Sequence, residues 1–288
     1  MNKKAINIAE KNFMKVDILD GVRRIQNIFC EDDIDCFIVY ENKDLMGIVT
    51  KKELVRAHPN RILADIMSDR YICINCHIHI WNIKEVFDSN KDINIILLEN
   101  DDDIMGYISR TSLNVEFSKH IDLLTGLYKS DYMFYNAHKF IENKQNTTII
   151  FLDLDNFGLI DKKYGHINGD IILKNVGAIL KKSIPTDCCL CRYAGDEFAI
   201  LTPYCINKSK LISQDILNII DSYEFPNNIR VSASIGIASC DIHNCSKITD
   251  SLDIINKLVN TASLLSTKAK QSTNTPIITG NLDINAIA

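Results

Sequence analysis

Residues 191–200 read CRYAGDEFAI and set an acidic pair directly behind a small Ala-Gly step. Cys191-Arg192-Tyr193 on one side and Phe198-Ala199-Ile200-Leu201 on the other are strand-like, so the stretch predicts a hairpin with Asp196 and Glu197 in its bend. Adjacent carboxylates repel, and Gly195 costs conformational order. Such a bend needs something to hold. Upstream, TTIIFL (147–152) is a β-branched and aromatic strand that ends in Asp153-Leu154-Asp155-Asn156-Phe157. Charge at the end of a buried apolar strand is costly unless it is solvated, paired or on a metal. Two acidic strand ends, 153/155 and 196/197, are what a two-metal phosphoryl-transfer site requires, although spacing alone also allows solvated turn acids.

With 288 residues the chain can form two domains, each with its own core. It is 46% hydrophobic and 24% charged, a soluble globular composition. A net charge of −5 argues against broad binding to nucleic acid or an anionic membrane. The opening MNKKAINIAEKNF lacks the apolar core of a signal peptide, and no apolar run approaches the roughly 20 residues of a membrane helix. The expectation is a cytoplasmic protein whose ten cysteines stay reduced. Cys73-Ile-Asn-Cys76-His77, with His79 close behind, matches a haem-attachment spacing but reads more simply as a strand entering a polar turn.

Beyond residue 123, helix and strand signals alternate, which argues α/β or α+β. Ordered motifs run through this part: Asp122-Leu-Leu-Thr-Gly-Leu127, FLDLDNF (151–157), YGHINGDIIL (164–173), RYAGDEFAIL (192–201), SASIGIA (232–238) and Ala269-Lys270. In this order they resemble the GGDEF family, the diguanylate cyclases, over roughly residues 118–280, with the signature written AGDEF. The resemblance implies a palm-like domain with a central antiparallel sheet. It implies GTP as substrate, Mg²⁺ (or Mn²⁺) as cofactor, and a homodimer in which two GTP condense to cyclic di-GMP and pyrophosphate.

Carried onto this chain, the resemblance makes Asp153 and Glu197 metal ligands, with the Leu154 carbonyl assisting, and gives Asp196 the position of a metal ligand or proton acceptor. Asp196 and Glu197 are thus the implied catalytic pair. Amides near Asn156 and Phe157 would meet the β- and γ-phosphates, Gly195 would let phosphate approach the backbone, and Lys270 would remain as a phosphate-facing cation. Asp170 would accept from the guanine N1–H and N2–H donors, with Asp161 beside it where the family usually has Asn, and His166 would shape the turn. Departures thin the phosphate clamp. The family's Lys after the D-x-D-x-F run is Gly158, the Asn-Arg after LTGL is Lys129-Ser130, and near the C-terminus Ser263 replaces Asp and Asn274 replaces Arg. The arginine of the family's product-inhibition site is also missing, at Pro185-Thr-Asp-Cys188. Two readings follow, an active cyclase and a non-catalytic regulator that binds GTP or a cyclic dinucleotide.

The first third contains a repeat of about 59 residues. FIVYENKDLMGIVTKKEL (37–54) and IILLENDDDIMGYISRTSL (95–113) share a strand, an Glu-Asn turn, a second strand entered through Met-Gly, then a hydroxyl residue and a helix start. Each copy follows a helix-like stretch, at 18–29 and 79–90, and each is too small to be stable alone, so the two should share a core. This resembles a CBS-domain pair over roughly residues 7–115, which implies a regulatory or dimerisation module and an adenine nucleotide between the copies. Thr50, Glu53 and Ser109 sit at the family's ligand positions, and Ser112 stands where an Asp is usual. The expected organisation is residues 1–115 as this pair and 116–288 as the cyclase-like domain. NVEFSKHID (114–122) is expected to be a stiff helical connector.

Overall fold

The structure, a computed structural model, describes residues 3–240, 251–272 and 275–282. Contacts divide the chain into two units, Met1–Ser118 and Lys119–Ala288. In the first unit the sequence repeat is a structural one. Strand β1 (Phe13–Asp17), helix α1 (Val22–Glu31), β2 (Cys36–Glu41), β3 (Asp44–Thr50) and α2 (Lys51–Arg56) form the first copy. The second is β4 (Tyr71–Asn75), α3 (Ile80–Ser89), β5 (Ile95–Asn100), β6 (Asp103–Ser109) and α4 (Arg110–Ser118). Each copy makes a three-stranded sheet, β1-β2-β3 or β4-β5-β6, with one parallel and one antiparallel pairing. Each carries a bulge at the same point, after Val39 and after Leu98.

Met-Gly recurs for a steric reason. A Cβ at Gly47 would lie 3.0 Å from the Ser68 carbonyl oxygen, and one at Gly106 would lie 2.7 Å from that of Glu10. The missing side chains let Ile48 bridge to Ser68 and Tyr107 to Glu10. The segment ahead of each copy therefore pairs with the sheet of the other. Cys36, Ile38 and Ile48 pack in one cluster with Ile95, Leu97, Ile104 and Tyr107, so neither copy has a complete core without its twin.

The second unit runs β7 (Tyr128–Lys129), α5 (Ser130–Glu142), β8 (Thr147–Leu154), α6 (Phe157–Tyr164), α7 (His166–Ser183), β9 (Cys189–Ala194), β10 (Glu197–Thr202), α8 (Ile206–Ser222), β11 (Ala233–Cys240), α9 (Ser251–Gln271) and β12 (Ile277–Asn281). Its six strands are ordered β12-β11-β8-β10-β9-β7; the inner pairings are antiparallel, while β12 and β7 pair parallel at the edges. Both faces of the sheet are covered. Ile150, Leu152, Phe198, Ile200, Ile235 and Ile237 face α7 and α8. Ile149, Phe151, Ala199, Leu201 and Ala238 face α5 and α9. That double burial is why TTIIFL has no polar alternation.

The expected helical connector over 114–122 is shorter than predicted. Helix α4 ends at Ser118, and the chain turns to the sheet edge: Ile121 bridges Tyr128, and the Lys129 amide donates to the His120 carbonyl. Backbone pairing at that edge outcompetes helix continuation. The Cys73–His79 stretch is structural as well. Cys73 lies in β4, Cys76 is buried, and His79 is the N-cap of α3, its Nδ1 accepting from the Trp81 amide.

Candidate active site

The acidic hairpin and the acidic strand end meet because β10 pairs with β8. Glu197, the first residue of β10, is in register with Asp153 near the end of β8. Opposed residues of an antiparallel pair share a face about 5 Å apart. Strand alternation puts both carboxylates on the α5/α9 side, the side of Phe151, Ala199 and Leu201. Asp196 completes the bend, after Gly195 at φ +47°, and its carbonyl lies 3.4 Å from the Leu154 amide. Across the sheet face comes α9, whose Lys270 Nζ donates to Asp153 Oδ1 at 2.9 Å and to the Leu154 carbonyl at 3.0 Å.

The electrostatics are those of crowded acids. Burial, then repulsion from Asp153, pushes the Asp196 carboxyl above its ordinary value, against the pull of its own amide, Lys270 and Arg192. Burial, Asp153 and Asp196 push Glu197 up, and Lys270 opposes them. A raised carboxyl is one whose charged form the folded protein disfavours, so above that raised value it subtracts from stability. Asp196→Asn should therefore raise the melting temperature of the metal-free protein at pH 7 by about 1–3 °C, small because solvent screens a half-buried group. The gain should fade on acidification through the window just above the ordinary aspartate range, where the wild-type carboxyl takes up its proton. Thermal scans at pH 7 and pH 4 check both the sign and its loss.

Arg192 is a site residue that sequence reasoning left without a role. Its Nε and Nη2 donate to the Gly195 carbonyl at 2.9 and 2.7 Å, and Nη1 reaches Asp122 Oδ1 at 3.0 Å. Asp122 Oδ1 also accepts from the Thr125 amide and hydroxyl, at 2.8 and 2.7 Å. Burial alone would raise the Asp122 carboxyl, but the Thr125 bonds and the guanidinium outweigh it and hold it below its ordinary value. One ion pair thus ties the D-x-L-T-G-L turn to the signature bend. The signal was an Arg four residues before Asp196 and an acid opening a Thr-Gly turn, two features with no reason to be joined in a one-dimensional reading.

Asp155 parts from Asp153. Its two oxygens accept from the Ser232 and Ser234 hydroxyls, both at 2.8 Å, and its amide donates to the Ser232 carbonyl. It fastens the start of β11 to the end of β8 instead of joining the acids at the hairpin. Next, Asn156 takes the left-handed conformation, φ 52° and ψ 28°, and caps α6. Phe157 is buried in the core, while the first amides of α6 have no intrahelical acceptor. A Cβ at Gly158 would meet nothing within 4 Å.

Further along, α6 and α7 close a second group. His166 Nδ1 lies 2.9 Å from Asp161 Oδ2, and Asp161 Oδ1 is buried without a hydrogen-bond partner. Gly169 has no side chain to fend it off, since a Cβ there would sit 1.9 Å from that oxygen. Asp170 follows, exposed on the first turns of α7. The structure thus gathers Asp153, Leu154, Asp196, Glu197 and Lys270 at one point and Asp161 with His166 at another. Ser263 lies on α9, and Asn274 falls outside the described residues.

The donors at the first point are hard oxygens, two in-register carboxylates and a carbonyl beside Asp196. Among the described residues no three His, Cys, Asp or Glu side chains close into a metal cage. An open set of this kind suits Mg²⁺ or Mn²⁺, which binds through one or two carboxylates plus substrate phosphate oxygens.

In the first unit, Thr50, Glu53 and Ser109 line a cleft of about 650 Å³ between the two copies. All three are engaged in helix caps. The Thr50 hydroxyl donates to Glu53 Oε2 and accepts from the Lys52 amide, and Ser109 exchanges bonds with Ser112 in the same way. Thr50 and Glu53 form a capping box, and Ser109 with Ser112 makes the corresponding contact with two hydroxyls.

The second unit has the α/β architecture of nucleotide-cyclase-like domains, with acids at the ends of β8 and β10 and a cation delivered by α9. Residues 119–273 match the family model for the GGDEF domain of diguanylate cyclases, and the chain belongs to that family. It is 36% identical over 121 residues to diguanylate cyclase DgcS of Shewanella oneidensis, covering 41% of each chain. Uncharacterized protein YhcK of Bacillus subtilis is 29% identical over 155 residues, 49% of this chain and 41% of that one. The chain thus spans about two fifths of the length of these relatives. The structure of the coiled coil and GGDEF domain of DgcB from Caulobacter crescentus, in complex with c-di-GMP, shares the fold at a TM-score of 0.50 and 17% identity, covering 58% of this chain and 88% of that one. GGDEF cyclases generally use Mg²⁺ or Mn²⁺. Among the described residues no helix is long and apolar enough to cross a membrane.

Proposed function

We propose that the protein is a diguanylate cyclase: it condenses two GTP into cyclic di-GMP and pyrophosphate across a homodimer. The observation that carries this reading is the register of Glu197 with Asp153, beside Asp196 and within reach of Lys270. In this role Asp153, Glu197 and the Leu154 carbonyl hold Mg²⁺ or Mn²⁺, which when bound neutralises phosphate charge and polarises the reacting phosphate. Asp196 holds the hairpin bend and accepts a proton at its carboxylate. The amides at Asn156 and Phe157 and the open backbone at Gly195 bind the β- and γ-phosphates, and Lys270 adds the cation. Asp170 accepts from the Watson–Crick edge of guanine, and Asp161, held by His166, lies beside it as an acceptor for the N2–H donor. Two subunits are required because one site holds one nucleotide, half of the reaction.

The test is direct. Purified protein with GTP and Mg²⁺ or Mn²⁺ should release pyrophosphate and cyclic di-GMP. GTP binding without product, where a related cyclase turns over, selects the second reading, a nucleotide-binding regulator. That reading draws on Gly158, which leaves the start of α6 without the usual lysine. An added Cβ at Gly158 meets nothing within 4 Å, so Gly158→Lys enters without a clash at its first side-chain atom. One charge-assisted contact adds about 1.5–3 kcal/mol, so turnover per substrate should rise about tenfold or more. An unchanged kcat/KM would show that phosphate charge is not what limits the site.

For the first unit the proposal is a CBS pair, residues 1–115, that holds the cyclase domain (116–288) as a dimer and takes an adenine nucleotide in its 650 Å³ cleft. Millimolar AMP or ATP should raise the melting temperature of the full chain. No shift with either would remove the ligand and leave dimerisation.

A further inference from the structure

Lys270 is not aimed at open space where a phosphate would lie. Its ammonium donates to Asp153 Oδ1 and to the Leu154 carbonyl, the two atoms of β8 assigned above to the divalent ion. Its side chain is 32% exposed and that of Asp153 is 16% exposed, so the pair is half-sheltered rather than a loose surface contact. The root of the lysine is fixed. Ala269 beside it is buried, and α9 lies so close on β11 that a Cβ at Gly236 would fall 2.0 Å from the Ala262 carbonyl oxygen. The four methylenes beyond Cα are free to swing the ammonium between the strand end and the mouth of the site. Asp153, Asp196 and Glu197 crowd the same point, and Lys270 offsets the repulsion felt by the last two.

We propose that Lys270 serves the metal-ligand set as an internal cation, and that it yields Asp153 and Leu154 only when a triphosphate offers its ammonium other oxygens. Divalent-ion uptake is thereby coupled to nucleotide uptake, and the site resists loading with metal alone. This rests on the cyclase reading of the site and adds a second role, opposite in sign, to its phosphate-binding lysine. A lysine that only clamps phosphate contributes to nucleotide affinity and nothing to metal affinity. A lysine that also occupies the metal ligands weakens metal binding in the absence of nucleotide.

The two are separated by Lys270→Met, which keeps the length and removes the charge, with Lys270→Arg as the charge-retaining control. Binding of Mn²⁺ to the full chain is followed by the electron paramagnetic resonance of the free ion, with and without a non-hydrolysable GTP analogue, each read against the same Mn²⁺ and analogue without protein. Without nucleotide, Lys270→Met should bind Mn²⁺ about tenfold more tightly than wild type, while Lys270→Arg stays near wild type. With the analogue, wild type should gain Mn²⁺ affinity and Lys270→Met should gain little. Equal or weaker Mn²⁺ binding by Lys270→Met without nucleotide, while wild type still takes up Mn²⁺ with the analogue, overturns the inference and leaves the cyclase reading standing. No Mn²⁺ uptake by any of the three proteins, even with the analogue, overturns both.

Discussion

Asp153→Ala should lower cyclic di-GMP release by about 10²–10³-fold, the loss expected when a preorganised electrostatic element is taken from a phosphoryl-transfer site. Asp153 has no substitute within the site. Asp155, two residues on, is spent on Ser232 and Ser234, and the other oxygens facing the point belong to Glu197, Asp196 and a backbone carbonyl. Glu197→Ala should fall by a similar factor, and the double variant by little more than either, because a shared ion is lost once. Unfolding does not account for this expectation. The Asp153–Lys270 pair is half-sheltered, so its removal should change stability by about 1 kcal/mol or less. Pyrophosphate release and a thermal scan on the same samples check the two halves. A variant that folds and still turns over at the wild-type rate would show that Asp153 does not hold the metal.

Among the glycines, Gly236→Ala should be the most damaging alanine substitution. Its backbone torsion is not in the left-handed region, so the added methyl is excluded by neighbours and not by the local conformation. The nearest atoms to an added Cβ are the Ala262 carbonyl oxygen at 2.0 Å, the Ser266 amide nitrogen at 2.3 Å and the Leu265 carbonyl carbon at 2.9 Å, all backbone of α9. No rotamer relieves such a contact, so the helix must lift from the sheet. Overpacking typically costs about 1–3 kcal/mol, and a backbone obstacle belongs at or beyond the upper end. That corresponds to a fall in melting temperature of about 6–12 °C. Because α9 also carries Lys270, nucleotide binding should weaken in whatever folds. Gly158→Ala, with nothing within 4 Å of the new methyl, is the matched control and should cost nothing in stability. Equal melting temperatures for Gly236→Ala and wild type would mean that α9 does not press on β11 as described.

Much of this molecule is local chemistry, and local chemistry is written in the chain. TTIIFL read as a buried apolar strand, Ala-Gly-Asp as a bend between two strands, and the twofold Glu-Asn and Met-Gly pattern as a duplicated unit sharing one core. The acids at 153, 196 and 197 were legible as one group because charge at strand ends demands a partner. What the chain could not disclose is who that partner is before any ligand arrives. Whether Asp155 joins Asp153, whether Arg192 reaches Asp122, and where Lys270 rests all depend on contacts between residues 70 to 117 positions apart. Side-chain periodicity reports only which face a residue lies on. Strand register, the approach of α9 allowed by Gly236, and the turn of residues 119–122 into the sheet edge decide which faces meet, and these are set by packing of the whole sheet rather than by any segment of it.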